Sequence, residues 1–597
     1  MVSALNVRLF AVLASASLLV GSIIDSNQSV LAGELKTWDG RHSISNIEVT
    51  VAYFVPRDRQ PLPDWRDRVN YFAKRIEKFH AREFQGQSTL KAKILAEPFK
   101  SARTTEQLRA GDGDFIFFQT LREVDRELQF GREDSEVFPI LLVLSEINWR
   151  PLDDFFRLSP QDGELKFEGQ FIGGRHFPGA TSGGARATYL ADRGVGWGLV
   201  SADGWRVPYS GTDCVVYHEG VGHPIGLPHP EPSNNSVMSM AQYRGWISES
   251  SVDESQKERL GWMPPEEKFD RSSDLFSSFT ALPDPLVPKP GDSVFLKLTW
   301  PSNAKVKSVR TRIQTELLGP WIEAAEHFES FDAENAPSQI PLGTFDRPTP
   351  VSYRVDATLK SGETVELWSY FQVKEPKSSV LLPRTDVADL SVSPAMGIQP
   401  AESLDLLPMI DVQQDVVNGT WKKTADGILE SPKQFGARIE VPYEPPAEYE
   451  LTIVATPLDE PNGLILGQLM GDHRFLTLVN YAASKDKAAA SALENVAGRN
   501  VNNNATTILA DLLQKDRPSQ IIVTVLKDSV VVRCDGRKII DWSGKAEQLS
   551  LGDYWSTPHG NTLFLGAYDC RYRFSRVSIV PISGNGKQLR ESSTKTD

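Results

Sequence analysis

The chain has 597 residues, 40% hydrophobic and 24% charged, with a formal net charge of -14. That length exceeds what one hydrophobic core supports and calls for about three or four domains. The acidic balance excludes a nucleic-acid partner, which needs a basic surface, and three cysteines are too few for a disulfide framework.

Arg8 precedes an apolar run from Leu9 to about Ile24, and Val30-Leu31-Ala32 supplies the small residues a signal peptidase prefers. Residues 1–32 therefore read as a cleaved secretory signal, with an uncleaved anchor as the alternative. No other stretch is apolar enough to span a bilayer, so the expected location is secreted, periplasmic or cell-surface.

Ile47 to Val55 alternates apolar and polar residues, the pattern of a half-buried strand. Trp65, Val69, Phe72, Ile76 and Phe79 fall on one face of a helix over 64–84. Leu90, Ala92 and Ile94 mark a second strand, Thr105 to Arg109 a short helix, and Phe115 to Phe118 a third strand after the turn Gly111-Asp112-Gly113. Val137 to Ser145 is nearly all apolar, as expected of a central strand covered on both faces. This order predicts a mixed α/β sheet. The glycine-rich region 169–204 predicts an edge strand and loops, where a peptide could add as a further strand, or simply irregular surface loops. Asp213 is placed to cap a helix from Cys214 to about Gly222, which Pro224 helps to end, and Cys214 reads as a buried small hydrophobe. Ser236 to Met240 reads as a compact apolar turn, and Ser250 to Leu260 as a polar helix.

Beyond Pro264 the pattern changes to strands without helices. Val294, Leu296, Leu298 and Trp300 alternate, as do Val351, Tyr353, Val355, Ala357 and Leu359, which predicts an immunoglobulin-like β-sandwich over 275–374. A linker rich in Pro, Ser and Asp, 375–404, leads to an all-β module over 405–583. Its strands include Glu448 to Ala455, Ile521 to Arg533 with a turn at Asp535-Gly536, and Leu563 to Tyr568, with Ala488 to Thr507 as an insertion. Together with Asn418-Gly419-Thr420-Trp421 near its start, this module resembles the concanavalin-like jelly roll, which implies glycan binding. It shows no paired-carboxylate motif of a glycosidase. Cys534 and Cys570 lie on strand-like segments and either pair or do not, and residues 584–597 read as a disordered tail.

The stretch that carries chemistry is His218 to His229, HEGVGHPIGLPH, which holds three of the nine histidines and a glutamate beside the first. Neutral imidazoles are standard zinc ligands, and a carboxylate beside a metal-bound water can take its proton. The half from His223 to His229, HxxGxxH, together with Ser236-Val237-Met238, resembles the metzincin zinc endopeptidases in layout over 45–268. The resemblance implies Zn2+ on His218, His223 and His229, Glu219 as general base, and a peptide or protein substrate. It also implies Met238 as the apolar floor beneath the metal, with Gly226 making the turn to the third histidine. Tyr243 is a candidate for stabilising an oxyanion.

One departure matters. That family spaces its first two histidines four apart, whereas His218 and His223 are five apart. At about 100° per residue, a fifth step overshoots to about 140°, too far for two imidazoles to share an ion. A single π-bulge would bring them back into phase, and Gly220 and Gly222 make it easy to form. The same extra residue resembles the zinc helix of the dipeptidyl-peptidase III family, whose third ligand is a downstream glutamate; Glu254 and Glu258 are thus alternatives to His229. The expectation is a zinc-dependent endopeptidase, with a non-catalytic extracellular carbohydrate- or protein-binding protein as the alternative.

Overall fold

The computed structural model describes residues 34–131, 136–148, 158–161, 164–167, 184–230, 234, 236–239, 245–267, 269–315, 320–324, 336–345, 349–373, 404–424, 427–482, 488–535 and 537–590. The expected signal 1–32, Met240, Tyr243, all but the last residue of the linker, and residues 591–597 lie outside them. The chain is multidomain and largely β, and no helix among the described residues is long and apolar enough to cross a membrane.

The N-terminal unit is built on one mixed sheet. Its elements are β1 (Asn46–Val55), α1 (Trp65–Phe84), β2 (Thr89–Ile94), β3 (Phe99–Lys100), α2 (Thr105–Leu108), α3 (Gly113–Leu128) and β4 (Phe138–Ser145). A small hairpin of β5 (Leu158–Gln161) and β6 (Glu164–Phe167) precedes β7 (Ala185–Leu190) and β8 (Val195–Val200). The sheet order is β2-β1-β4-β8-β7, with β3 beside β1. β1, β2, β4 and β8 run parallel, and β7 closes the edge antiparallel to β8. One face packs with α1 through Val69, Phe72, Ile76 and Phe79, and the other with α3 through Phe117, Leu121 and Val124. Two covered faces explain why β1 is buried nearly throughout rather than alternately, as the sequence had suggested.

Phe115 to Phe118 is not a strand. Asp112 accepts a hydrogen bond from the Phe115 N–H (2.8 Å) and caps α3, so this aromatic run forms its first turn. Ile116 and Phe117 face inward while Phe115 is 57% exposed, the helical rather than the two-residue period.

The second unit is an antiparallel sandwich. One sheet holds β9 (Thr280–Asp284), β10 (Ser293–Thr299) and β13 (Gln339–Thr344); the other holds β11 (Val306–Gln314), β12 (Ile322–Glu323), β14 (Thr349–Leu359) and β15 (Thr364–Val373). Leu296, Ile313, Tyr353 and Phe371 share the core between them. β15 also sends Trp368 and Tyr370 into the core of the first unit, where Tyr71 stacks on Trp368 at 5.1 Å.

The C-terminal unit is a double sheet of eight and seven strands. Strand Glu448–Pro457 is central in one and Leu464–Met470 in the other, and Ile453, Leu466, Phe475, Val523 and Ile579 fill the space between them. Several local expectations change. Residues 521–533 form a hairpin rather than one strand, with Ser519–Val525 pairing Ser529–Cys534. Ala488 to Thr507 is no mere insertion, because Ala490–Leu493 is a strand of the seven-stranded sheet. Cys534 and Cys570 are both buried and no disulfide joins them. The expected tail is ordered over 584–590: Lys587–Gln588 pairs with Tyr443–Glu444, and Arg590 reaches Asp415 at 2.7 Å.

Candidate metal centre

α4 (Thr212–Tyr217) leads into the site. Asp213 does not cap it as expected. Its buried carboxylate pairs with Arg75 of α1 (2.9 Å) and accepts from the Ile247 N–H (3.0 Å), tying the helix start to α1 and to the segment after the apolar turn. Cys214 is buried, as the sequence indicated.

The next turn is π-helical over His218–Gly222, and the His223 N–H donates to the His218 carbonyl five residues back. The extra residue is absorbed where the histidine spacing required it. Its glycines are needed for contact. A Cβ on Gly222 would overlap the Met238 sulfur, and one on Gly220 would come within 2.9 Å of Leu142 Cδ2. A short 3-10 turn, His223–Ile225, ends at Gly226, whose φ of 89° turns the chain toward His229.

The three imidazoles meet. His218 Nε2 lies 2.9 Å from His223 Nε2 and 3.1 Å from His229 Nε2, and the last two are 3.2 Å apart. His218 Nδ1 donates to the Val237 carbonyl (2.9 Å) and His223 Nδ1 to the Leu227 carbonyl (2.7 Å). His218 and His223 therefore carry their protons on Nδ1 and turn their Nε2 lone pairs inward. Burial holds the His218 imidazole down to about 3, helped by His223, and burial also lowers His223. Converging lone pairs on neutral rings repel one another unless a cation sits between them, so the donor set fits a transition-metal ion. His218, His223 and His229 could hold a metal ion; neither Glu254 nor Glu258 belongs to the cluster.

Glu219 follows His218 in the π-turn. Its Oε2 is sealed from solvent and has no hydrogen-bond partner among the described residues. Burial pushes its carboxyl up to about 8, against an opposing pull from Arg186 of β7. Met238 is fully buried, with its sulfur against Gly222.

Two features of the site escaped the sequence reading. Gly196 and Gly198 of β8 admit the metal-bearing turn against the sheet, since a Cβ on Gly198 would overlap the Glu219 carbonyl and one on Gly196 would overlap Pro224. The alternating glycines in Val195-Gly196-Trp197-Gly198 were the available signal, because glycine inside a strand marks close backbone approach. The second feature is Gln256 of α5 (Glu254–Arg259), whose Nε2 donates to the Pro228 carbonyl (2.8 Å). No motif announces it.

No protein-family profile matches the chain, and no curated protein matches it. Solved structures share small parts of it. A carbohydrate-binding module, CBM66 from Bacillus subtilis, is 15% identical over 28% of this chain and 94% of its own, with a TM-score of 0.20. A protein of unknown function with a galectin-like fold, also from Bacillus subtilis, is 13% identical over 29% and 93%, with a TM-score of 0.21. The exoplasmic/lumenal domain of VIP36, in a form bound to Ca2+ and Man3GlcNAc, is 12% identical over 31% and 91%, with a TM-score of 0.23. Scores this low do not establish a shared fold.

Proposed function

We propose that the N-terminal unit binds a divalent transition metal through His218, His223 and His229, zinc by ligand type, and hydrolyses peptide bonds outside the cell in the manner of a metzincin-like endopeptidase. The observation that carries the reading is the convergence of three Nε2 atoms within 3.2 Å, two of them fixed from behind by Nδ1 bonds. When bound, the ion supplies a Lewis acid and a lowered pKa for water. Glu219 takes the proton of the attacking water and returns it to the leaving amine. Its burial favours the neutral acid, and a divalent cation held by the histidines would favour the carboxylate that a base must be. The antiparallel edge β7, whose Tyr189 lies beside the Gly226 turn, offers backbone groups to an extended substrate. Metal analysis of the purified chain, followed by casein hydrolysis with and without chelator, tests this. Glu219→Gln should keep its metal and lose about 10²–10⁴-fold in rate. Hydrolysis that survives both chelation and Glu219→Gln sinks the peptidase reading.

A second reading keeps the metal as structural and places function in the C-terminal double sheet as a carbohydrate binder. Exposed Phe435 (60%) packs on Tyr568 and Tyr568 on Tyr481, with ring centroids 4.6 Å and 5.0 Å apart, and exposed Tyr554 (58%) packs on Trp555 at 5.8 Å. Glu494 accepts from Tyr554 Oη (2.9 Å) and Trp555 Nε1 (3.0 Å) beside them. Exposed rings with fixed polar neighbours suit the two-faced surface of a sugar. Binding to a polysaccharide panel that disappears in Phe435→Ala and Tyr554→Ala, without any chelator-sensitive hydrolysis, would favour it.

A further inference from the structure

We propose that Gln256 is the positioning residue for His229 and thereby sets how tightly the histidine cluster holds a divalent cation; this rests on the metal-binding reading above. The three ligands are not held alike. His218 and His223 are each oriented by an Nδ1 bond to a backbone carbonyl. His229 is exposed and has no Nδ1 partner among the described residues. It lies between Pro228 and Pro230, neither of which has an N–H through which the loop could be tied down. Its anchor is the Pro228 carbonyl, one residue before the ligand, which accepts from Gln256 Nε2 at 2.8 Å.

Gln256 is suited to that task. It is 4% exposed, on a helix whose cap Asp253 accepts from the Gln256 N–H (3.2 Å) and from Asn234 Nδ2 (2.6 Å). The helix end is fixed in turn, because the Leu260 carbonyl accepts from the Lys36 N–H at 2.8 Å. The other end of the amide, Oε1, is sealed from solvent without a partner among the described residues. A buried amide with one unmet end is destabilising where an apolar side chain is not. Packing alone would therefore favour leucine or methionine here, and what distinguishes glutamine is the bond to Pro228.

The test is Co2+ titration of the full metal-free chain, read by affinity and by the visible absorption of the bound ion. Gln256→Met is close to isosteric and removes the donor. It should weaken Co2+ binding about ten-fold or more and shift the absorption toward that of His229→Ala. In a His229→Ala background, Gln256→Met should cause no further loss, since the residue acts through that ligand. Unchanged affinity and spectrum in Gln256→Met, or losses that add in the double variant, overturn the assignment. If Gln256→Met does not fold, Gln256→Glu makes the same comparison, with an acceptor turned toward the Pro228 carbonyl. A wild-type chain that takes up no Co2+ overturns the metal reading itself, whereas a wild type that binds beside a silent Gln256→Met overturns only the positioning role.

Discussion

At the scale of single residues, desolvation shifts the buried His80 and the half-buried Glu219 in opposite directions. The His80 imidazole is pulled down to about 3 by burial, with Tyr217 Oη at 3.1 Å and Ser88 Oγ at 2.8 Å on its two nitrogens. The folded state then stays unprotonated where the unfolded chain takes up a proton. Stability is whole above about pH 6.5 and falls as the pH drops toward 3, by about 1.4 kcal/mol per pH unit. Replacing His80 with Gln should flatten the acid limb of a stability-against-pH curve by about one proton, measured by urea melts between pH 4 and 7. Glu219 works the other way: with its carboxyl raised to about 8, metal-free protein is stable at low pH and loses stability as the pH rises from about 4.5 through 8. Metal-free Glu219→Gln should therefore be more stable than wild type by up to about 4 kcal/mol at pH 8 and equal to it near pH 4. Equal melts at pH 8 would show that the carboxyl is not buried as described. His218, His223 and the neighbouring Glu219 stood out in the sequence because ligand types and spacing are local, whereas the third position stayed open between His229, Glu254 and Glu258. That Glu219 Oε2 has no hydrogen-bond partner among the described residues was not legible there, because it depends on which distant residues close over it.

At the scale of elements, counting residues was enough to require a π-turn at 218–222, since the alternative leaves His218 and His223 on different faces. What makes room for the turn is β8, a strand from another part of the chain. Gly198→Ala forces its Cβ into the Glu219 carbonyl and should cost about 1–3 kcal/mol and weaken metal uptake. Gly560→Ala, which meets nothing within 4 Å, should stay within about 0.5 kcal/mol of wild type. Thermal melts of the two side by side check the contrast. The misread start of α3 has a similar cause: four consecutive apolar residues carry no period of their own, and the Asp112 cap decides between helix and strand.

For the whole molecule, the first two units share more than a linker. Trp246 Nε1 donates to the Trp368 carbonyl (2.9 Å), Arg354 pairs with Asp67 (3.0 Å), and Arg68, fully buried, bonds Gln314 (2.6 Å). Separating the units strips buried Arg68 of its bond to Gln314 and exposes the apolar surface that Trp368 and Tyr370 cover. Residues 34–268 alone should therefore aggregate or melt well below residues 34–373, while residues 404–590, with their own core, should melt as a separate transition in the full chain. Differential scanning calorimetry of the three forms decides this; a stable, monomeric 34–268 fragment would show that the interface contributes little.

Local pattern by itself determined the order of α/β, sandwich and double-sheet units, the strand at 138–145, the helix at 65–84 and the demand for a π-turn, because period, ligand spacing and glycine placement act within a few residues. Only the tertiary structure decided that His229 completes the cluster, that the glycines of β8 admit it, that Asp213 pairs with Arg75, and that Gln256 reaches Pro228. Each of those rests on groups far apart in the chain, whose meeting is set by how whole elements pack.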